Sequence, residues 1–270
     1  MITRSFESHN SFWTHLMILF VAVLLSFYPA EAKEKWTTNK KAVVASVEKH
    51  EKELTSISDN IWSYAELSLA EYQSSKALSD YAEKKGFKVE RGVGGMPTAF
   101  IATYGSGRPR IGILGEFDAN AGISQKNQPT KEARIAGAPG HGCGHNLFGT
   151  GSLGAAIAIK ELMEKKKLKG TVIFFGTPAE ETIFGKTYMA RASLFDDLDI
   201  CMDWHPGDNL EASTQSSKAL VDFRVKYYGK AAHASSDPWN GFSAVDGLEL
   251  YTTGINYYRE HIRPTARIHY

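Results

Sequence analysis

The sequence predicts an α/β fold with a mainly parallel sheet, followed by a smaller second domain. Residues 111–114 and 170–176 are continuous apolar runs, the pattern of strands that are covered on both faces. Residues 147–167 have a helical pattern between them, so the three segments predict a β-α-β unit. A second predicted helix, residues 186–195, leads to a third apolar run at residues 198–204. Strands that alternate with helices are typical of a parallel sheet.

The segment before this unit predicts helices and then further strands. Apolar residues recur at three- and four-residue steps from residue 40 to about residue 85, and Gly86 is suited to end the last helix. Strand patterns follow at residues 87–93 and 98–104. Residues 119–139 are polar and rich in glycine, proline and asparagine, so they predict a loop.

The pattern changes near residue 216, which we take as the boundary between domains 33–215 and 216–270. Residues 219–228 alternate like a half-buried strand, and a helix is predicted from about residue 242 to 261. A further strand pattern begins at Thr265. These elements predict the β-α-β start of an incomplete second domain.

The N-terminus predicts a signal peptide at residues 1–32. Residues 16–25 are wholly apolar, and Ala30 and Ala32 have the spacing of a cleavage site. The apolar run is too short to span a bilayer comfortably, although an uncleaved membrane anchor is the alternative. We therefore expect export to a periplasm or to the medium, without stable membrane association after cleavage.

The charges are balanced, with 31 Lys and Arg against 30 Asp and Glu and a formal net charge of +1. This balance gives no indication that nucleic acid or an anionic membrane is a partner.

Candidate metal ligands follow the apolar strands. Residues 140–145 read Gly-His-Gly-Cys-Gly-His, which places a thiol between two imidazoles. Carboxylates follow two strands, at Asp118 and at the Glu180–Glu181 pair, and His205 follows a third. Ligands of open α/β sheets collect at the carboxyl ends of strands, so we expect these side chains to converge.

The two cysteines allow a different account. In an oxidising compartment, Cys143 and Cys201 could form a disulfide instead of a metal site. Cys201 lies within an apolar strand pattern, however, and is predicted to belong to the core.

A hydrolytic metal site also requires a carboxylate that takes a proton from water, which either Glu180 or Glu181 could supply.

Four segments together resemble a known family of metallopeptidases. They are Gly-His-Gly-Cys-Gly-His-Asn at 140–146, Pro-Ala-Glu-Glu at 178–181, Trp-His-Pro at 204–206 and Gly-Lys-Ala-Ala-His-Ala at 229–234. They are similar to the aminoacylase/carboxypeptidase family, in its amidohydrolase branch, and are nearest to its aminobenzoyl-glutamate utilisation subgroup. In the segment after Asp118, this chain has Ala-Asn-Ala-Gly where the family usually has Ala-Leu-Pro-Gly.

The resemblance implies the roles of the site residues. Two divalent ions, manganese or zinc, would be bound by side chains at four positions: Cys143, His145, Glu181 and His205. Glu180 would be the general base, and His233 would stabilise the oxyanion. His141 and Asp118 would support the ligands.

The resemblance also implies a fold and an activity. We expect a zinc-peptidase-like doubly wound sheet with an inserted ferredoxin-like α+β domain that acts as a lid and forms a homodimer. The family's catalytic domain resumes after the lid and adds a final histidine ligand, so we expect the C-terminal part to be missing here. The expected reaction is hydrolysis of an N-acyl or N-aroyl amino acid. The alternatives are a dipeptidase or carboxypeptidase, or an inactive fragment that binds metal or substrate.

Overall fold

The computed structural model of the chain describes residues 36–212 and 216–270. The predicted signal peptide at residues 1–32 lies outside these ranges. The chain divides into two compact units, with the boundary between Asp208 and Asn209. The domain boundary expected at residue 216 stays a prediction. In the ranges that the structure describes, no helix combines the length and the apolar character that crossing a membrane requires.

The first unit is built on one five-stranded mixed sheet. The strands are β1 (Lys88–Arg91), β2 (Phe100–Ser106), β3 (Arg110–Glu116), β4 (Gly170–Thr177) and β5 (Ile200–Met202). Their order is β1-β2-β4-β3-β5. β4 and β5 pair in parallel with β3, whereas β2 is antiparallel to both β1 and β4. Four strands therefore run in one direction and β2 runs against them, which confirms the predicted α/β class with a mostly parallel sheet.

Helices pack on this sheet and on one another. They are α1 (Thr38–Lys49), α2 (Glu51–Tyr64), α3 (Tyr72–Lys84), α4 (His145–Lys166), α5 (Glu180–Ile183) and α6 (Gly185–Arg191). α4 connects β3 to β4, as the β-α-β pattern predicted. The small residues in its first half allow close packing on the sheet. A Cβ added at Gly149 would lie 2.5 Å from the backbone oxygen of Glu116, so the helix approaches β3 more closely than alanine permits.

The core lies on both faces of β4, whose eight residues are all buried. Phe174 packs with Phe100 and Leu153 in the larger cluster, whereas Ile173 and Phe175 belong to a second cluster. Successive strand residues point to opposite faces, so one strand contributes to both clusters. The continuous apolar run at residues 170–176 correctly predicted this doubly covered strand.

A polar cluster fastens the end of α1 to α4. His50 Nε2 donates to Glu161 Oε1 over 2.8 Å, and Ser46 and Lys49 donate to the same carboxylate. Lys85 Nζ donates to His50 Nδ1 over 3.0 Å, which leaves the His50 proton on Nε2. Burial alone would raise the pKa of Glu161, but the three hydrogen bonds outweigh it and lower that pKa to about 2.

β5 differs from the prediction in its burial. Its three residues are all exposed, and Cys201 among them is a free, exposed thiol. The prediction that Cys201 belongs to the core was therefore wrong. β5 is the last strand of the described sheet and pairs on one side with β3, and its side chains stay exposed at this edge.

The second unit contains one α-helix, α7 (Ala244–Tyr258), and a short 3₁₀ helix, Pro238–Asn240, in its described residues. Ser243 caps α7, because its side chain accepts from the backbone N–H of Asp246 over 3.1 Å. The strands predicted at residues 219–228 and from Thr265 are not formed. An alternating pattern makes a strand only where a neighbouring strand accepts its hydrogen bonds, and the described pairing in this unit is the Lys230–Phe242 bridge.

Candidate metal centre

The carboxyl ends of three parallel strands bring most of the predicted site residues together. Asp118 follows β3, Glu180 and Glu181 follow β4, and His205 follows β5. His145 is the first residue of α4, whose close packing on β3 holds that end of the helix at the same edge. The tightly spaced glycines before it allow the turn, since Gly144 has φ 74°.

His145 is held in the tautomer that a metal ligand requires. Its ring is fully buried, and Nδ1 lies 3.0 Å from Asp118 Oδ1, so Nδ1 carries the proton and donates a hydrogen bond to the carboxylate. Nε2 is left with a lone pair. It lies 3.7 Å from Glu181 Oε1, and neither atom has a hydrogen-bond partner among the described residues. A histidine oriented by a carboxylate in this way is typical of metal sites.

Asp118 positions a second candidate ligand as well. Its Oδ2 accepts from the backbone N–H of Glu181 over 2.9 Å, while Oδ1 faces His145. Asp118 is almost fully buried, so both contacts are shielded from water. One carboxylate therefore connects the end of β3 to the turn after β4, the supporting position that the resemblance implied.

The turn that carries Glu180 and Glu181 is fixed by a residue that the sequence analysis missed. Ala179 adopts the left-handed conformation at φ 60°, which is costly for a residue with a Cβ. Its backbone N–H donates to Glu71 Oε1 over 2.9 Å, and Thr98 donates to Glu71 Oε2 over 2.8 Å. All three residues are fully buried, and burial raises the pKa of Glu71.

Cys143, His145 and His205 form one candidate ligand group. One ligand atom from each lies within 4.8 Å of the others. The His145 and His205 ring centroids are 5.6 Å apart. His205 is placed by its neighbour, because Trp204 Nε1 donates to Ser152 Oγ over 3.1 Å and its indole fills the space beside Gly151.

Glu116, His145 and Glu180 form a second group within the same distance limit. Glu116 was missed as a site residue, although it ends the same apolar run that led to Asp118. It is buried, and its Oε2 lies 2.9 Å from His145 Nε2 without hydrogen-bond alignment. Lys186 contacts its other oxygen. No sequence signal distinguishes Lys186 from other surface lysines.

The electrostatics of the site favour a bound cation. Burial and the neighbouring Glu181 carboxylate raise the pKa of the Cys143 thiol to about 11. Burial, and then the charge of Glu181, raises the pKa of Glu180. Both shifts mean that negative charge is costly here, and a divalent cation would reverse both. The donor set of thiolate, imidazole and carboxylate fits such an ion, as do the unpartnered atoms on His145 and Glu181.

The disulfide alternative is not realised, because Cys143 and Cys201 are both free thiols. His141 does not join the ligand groups. Its Nε2 donates to the backbone oxygen of Ile61 over 3.0 Å.

His233 belongs to the second unit, where a local turn orients its ring. The backbone N–H groups of Ser235 and Ser236 donate to Nδ1 over 3.2 and 3.1 Å. Nδ1 is therefore an acceptor, and the proton of the neutral ring is on Nε2. The side chain is exposed, so Nε2–H is available as a donor.

The fold and the site define an α/β protein with a candidate divalent-metal centre at the carboxyl edge of its sheet. Residues 113–253 match the profile of peptidase family M20/M25/M40. The chain belongs to this family, which confirms the resemblance that the four motifs carried.

Two curated relatives match most of this chain. It is 43% identical over 228 residues to one of the subunits of the p-aminobenzoyl-glutamate hydrolase of Escherichia coli K12, covering 83% of this chain and 47% of that protein. It is 32% identical over 232 residues to human Xaa-Arg dipeptidase, covering 80% of this chain and 49% of that protein. The chain thus spans about half the length of these relatives.

The fold also matches a solved structure. A protein from methicillin-resistant Staphylococcus aureus superposes with a TM-score of 0.57 at 22% identity, over 83% of this chain and 58% of that one. This likeness supports the α/β fold.

Proposed function

We propose that the protein is a metal-dependent amidohydrolase that cleaves the amide bond of an N-acyl or N-aroyl amino acid, such as p-aminobenzoyl-glutamate. The observation that carries the proposal is the convergence of Cys143, His145, Glu180, Glu181 and His205 at one sheet edge. The name of the Escherichia coli relative supports the substrate class.

The two adjacent glutamates would have different roles in the proposed chemistry. Glu181, whose backbone is fixed by Asp118, would be a ligand together with Cys143, His145 and His205. Two divalent ions, manganese or zinc, would polarise the scissile carbonyl and make water more acidic when bound. Glu180 would then take a proton from the attacking water and deliver it to the leaving nitrogen.

His233 would donate a hydrogen bond from Nε2 to the oxyanion that develops on the carbonyl oxygen. The turn at Ser235 and Ser236 supports this role, because it keeps the proton of the neutral ring on Nε2. We further propose that the protein is exported, to a periplasm or to the medium, and that its second domain forms a homodimer.

The test of the site compares three variants in metal content and turnover. Cys143→Ser should lose bound metal in elemental analysis, because a hydroxyl replaces the thiolate ligand. Glu180→Gln should keep its metal and lose about 10²- to 10⁴-fold in kcat, the usual contribution of a general base. Cys201→Ser, on the exposed edge strand, is the matched control and should retain both. Retained metal and turnover in the first two variants would contradict the assignment.

A dipeptidase using the same site is the second candidate, supported by the human Xaa-Arg dipeptidase relative. An assay of dipeptides beside N-aroyl amino acids separates the two activities by their kcat/KM ratio. The third possibility is a binding fragment without activity. Assays of the 270-residue chain and of a version extended past Tyr270, with manganese or zinc supplied, distinguish it: activity in neither would end the enzyme proposal.

A further inference from the structure

A small pocket lies beside the metal centre, between the end of α2 and the loop at residues 119–139. We call it the α2 pocket. Its volume is about 160 Å³, and its walls include side chains of Trp62, Tyr64, Arg134, Ile135 and His141. All of them belong to the first unit. The volume is enough for a single amino-acid side chain, but drug-sized ligands occupy pockets of about 300 Å³ or more. The α2 pocket is therefore sized for part of a substrate.

Arg134 gives the pocket a positive charge that no carboxylate among the described residues neutralises. Its guanidinium lies 4.9 Å from the centroid of the Trp62 ring. Its Nη2 donates to Ser63 Oγ over 3.0 Å, and in the described part of the chain Arg134 pairs with no carboxylate. Stacking on an indole orients a guanidinium while leaving N–H groups free, and the planar fork matches a carboxylate. The Arg134 side of the pocket is therefore suited to bind an anionic group.

His141 lines the same pocket, and the end of α2 orients its ring. Since its Nε2 donates to the Ile61 carbonyl, Nδ1 has a lone pair. This atom is buried and has no hydrogen-bond partner among the described residues. His141 therefore forms a wall of the pocket, and its Nδ1 is closed off from a ligand in it.

The pocket is close to the reacting centre along the chain. His141 precedes the candidate ligand Cys143 by two residues, so their Cα atoms lie at most about 7 Å apart. Asn120 Oδ1 accepts from the backbone N–H of Gly142 over 3.1 Å, which fixes the segment between them. The pocket wall at His141 and the candidate ligand Cys143 are therefore close enough for one substrate to reach both.

We propose that the α2 pocket binds the amino-acid half of the substrate, with a carboxylate on Arg134. The proposal rests on the proposed function and specifies its substrate class: acidic or neutral amino acids are accepted, and cationic side chains are disfavoured by the Arg134 charge. It also makes Arg134 a binding residue, because its guanidinium contacts substrate.

The experiment uses the full metal-loaded chain and two variants. Arg134→Leu removes the guanidinium, and Lys131→Met removes one charge from the same loop at an exposed residue that does not line the pocket. Calorimetry measures the Kd of free glutamate, and kinetics compares N-benzoyl-glutamate with its diamide. Circular dichroism checks that both variants are folded.

We expect Arg134→Leu to weaken glutamate binding and to raise KM for N-benzoyl-glutamate by about 10- to 100-fold, the loss of one charge-assisted interaction. Its kcat, and its KM for the diamide, should stay within about threefold of the unmodified protein, and Lys131→Met should change nothing. Equal Kd and KM in both variants would overturn the proposed role of the pocket in substrate binding, and the hydrolase proposal would stand. Arg134-dependent binding without any turnover would support the pocket and end the hydrolase proposal. Neither binding nor turnover in the unmodified chain would overturn both.

Discussion

The turn that presents Glu180 and Glu181 should depend on Glu71, a fully buried carboxylate distant in sequence. In Glu71→Leu, the backbone N–H of Ala179 and the hydroxyl of Thr98 both lose their acceptor. Each unpartnered buried group costs about 1–3 kcal/mol, so the two together cost about 2–6 kcal/mol. Removing the buried carboxylate offsets part of this cost, since burial raises the pKa of Glu71 and so disfavours its charged form. We expect a net loss of about 3 kcal/mol in the free energy of unfolding.

Urea denaturation followed by circular dichroism measures this loss, and elemental analysis measures the bound metal. Metal binding should weaken too, because Ala179 keeps its φ of 60° against an intrinsic cost and Glu71 holds it there. Glu71→Gln is the matched control. Its amide oxygen can still accept from Ala179 and its NH₂ group can donate to Thr98 Oγ1, so it should lose at most about 1 kcal/mol. Stabilities of the two variants within about 0.5 kcal/mol of each other would refute the reasoning.

Three further predictions concern the packing and charges around the site. Gly149→Ala should destabilise the fold by about 1–3 kcal/mol in urea denaturation, because the new Cβ would meet the backbone of Glu116. Lys186→Met should cost about 2–3 kcal/mol, since it leaves the buried Glu116 carboxylate without its cation; Lys186→Arg should recover part of the loss. The depressed pKa of Glu161 stabilises the fold above pH 4.5 by about 2 kcal/mol after allowance for solvent screening, and this contribution should disappear as the pH falls from 4.5 towards 2. A pH titration of Glu161→Gln stability should lack that component.

The candidate ligands could be predicted from the sequence because each follows directly on a local pattern. Cys143 and His145 lie within one glycine-rich segment, and Glu181 and His205 follow apolar strands. An apolar run fixes where a strand ends, and parallel strands end at one edge of a sheet. The convergence of these side chains therefore required no knowledge of which strands are neighbours.

The supporting residues could not be predicted in this way. Glu71 and Ala179 are 108 positions apart, and nothing in the local sequence indicates that they meet. Glu116 and Lys186 likewise become partners only when β3 and the start of α6 pack together. Burial of a charged residue is decided by the packed layers around it, and so is the pairing that compensates for it.

By itself, the sequence determined the α/β class and the β-α-β unit, and it indicated the candidate metal-ligand side chains, because hydrophobic periodicity and ligand chemistry are local properties. The tertiary structure alone decided that β2 runs against its neighbours, that β5 is exposed at the edge, and that residues 219–228 form no strand. A strand forms only where neighbouring strands and side-chain layers provide hydrogen bonds and packing. The residue pattern of the strand does not specify which neighbours it will have.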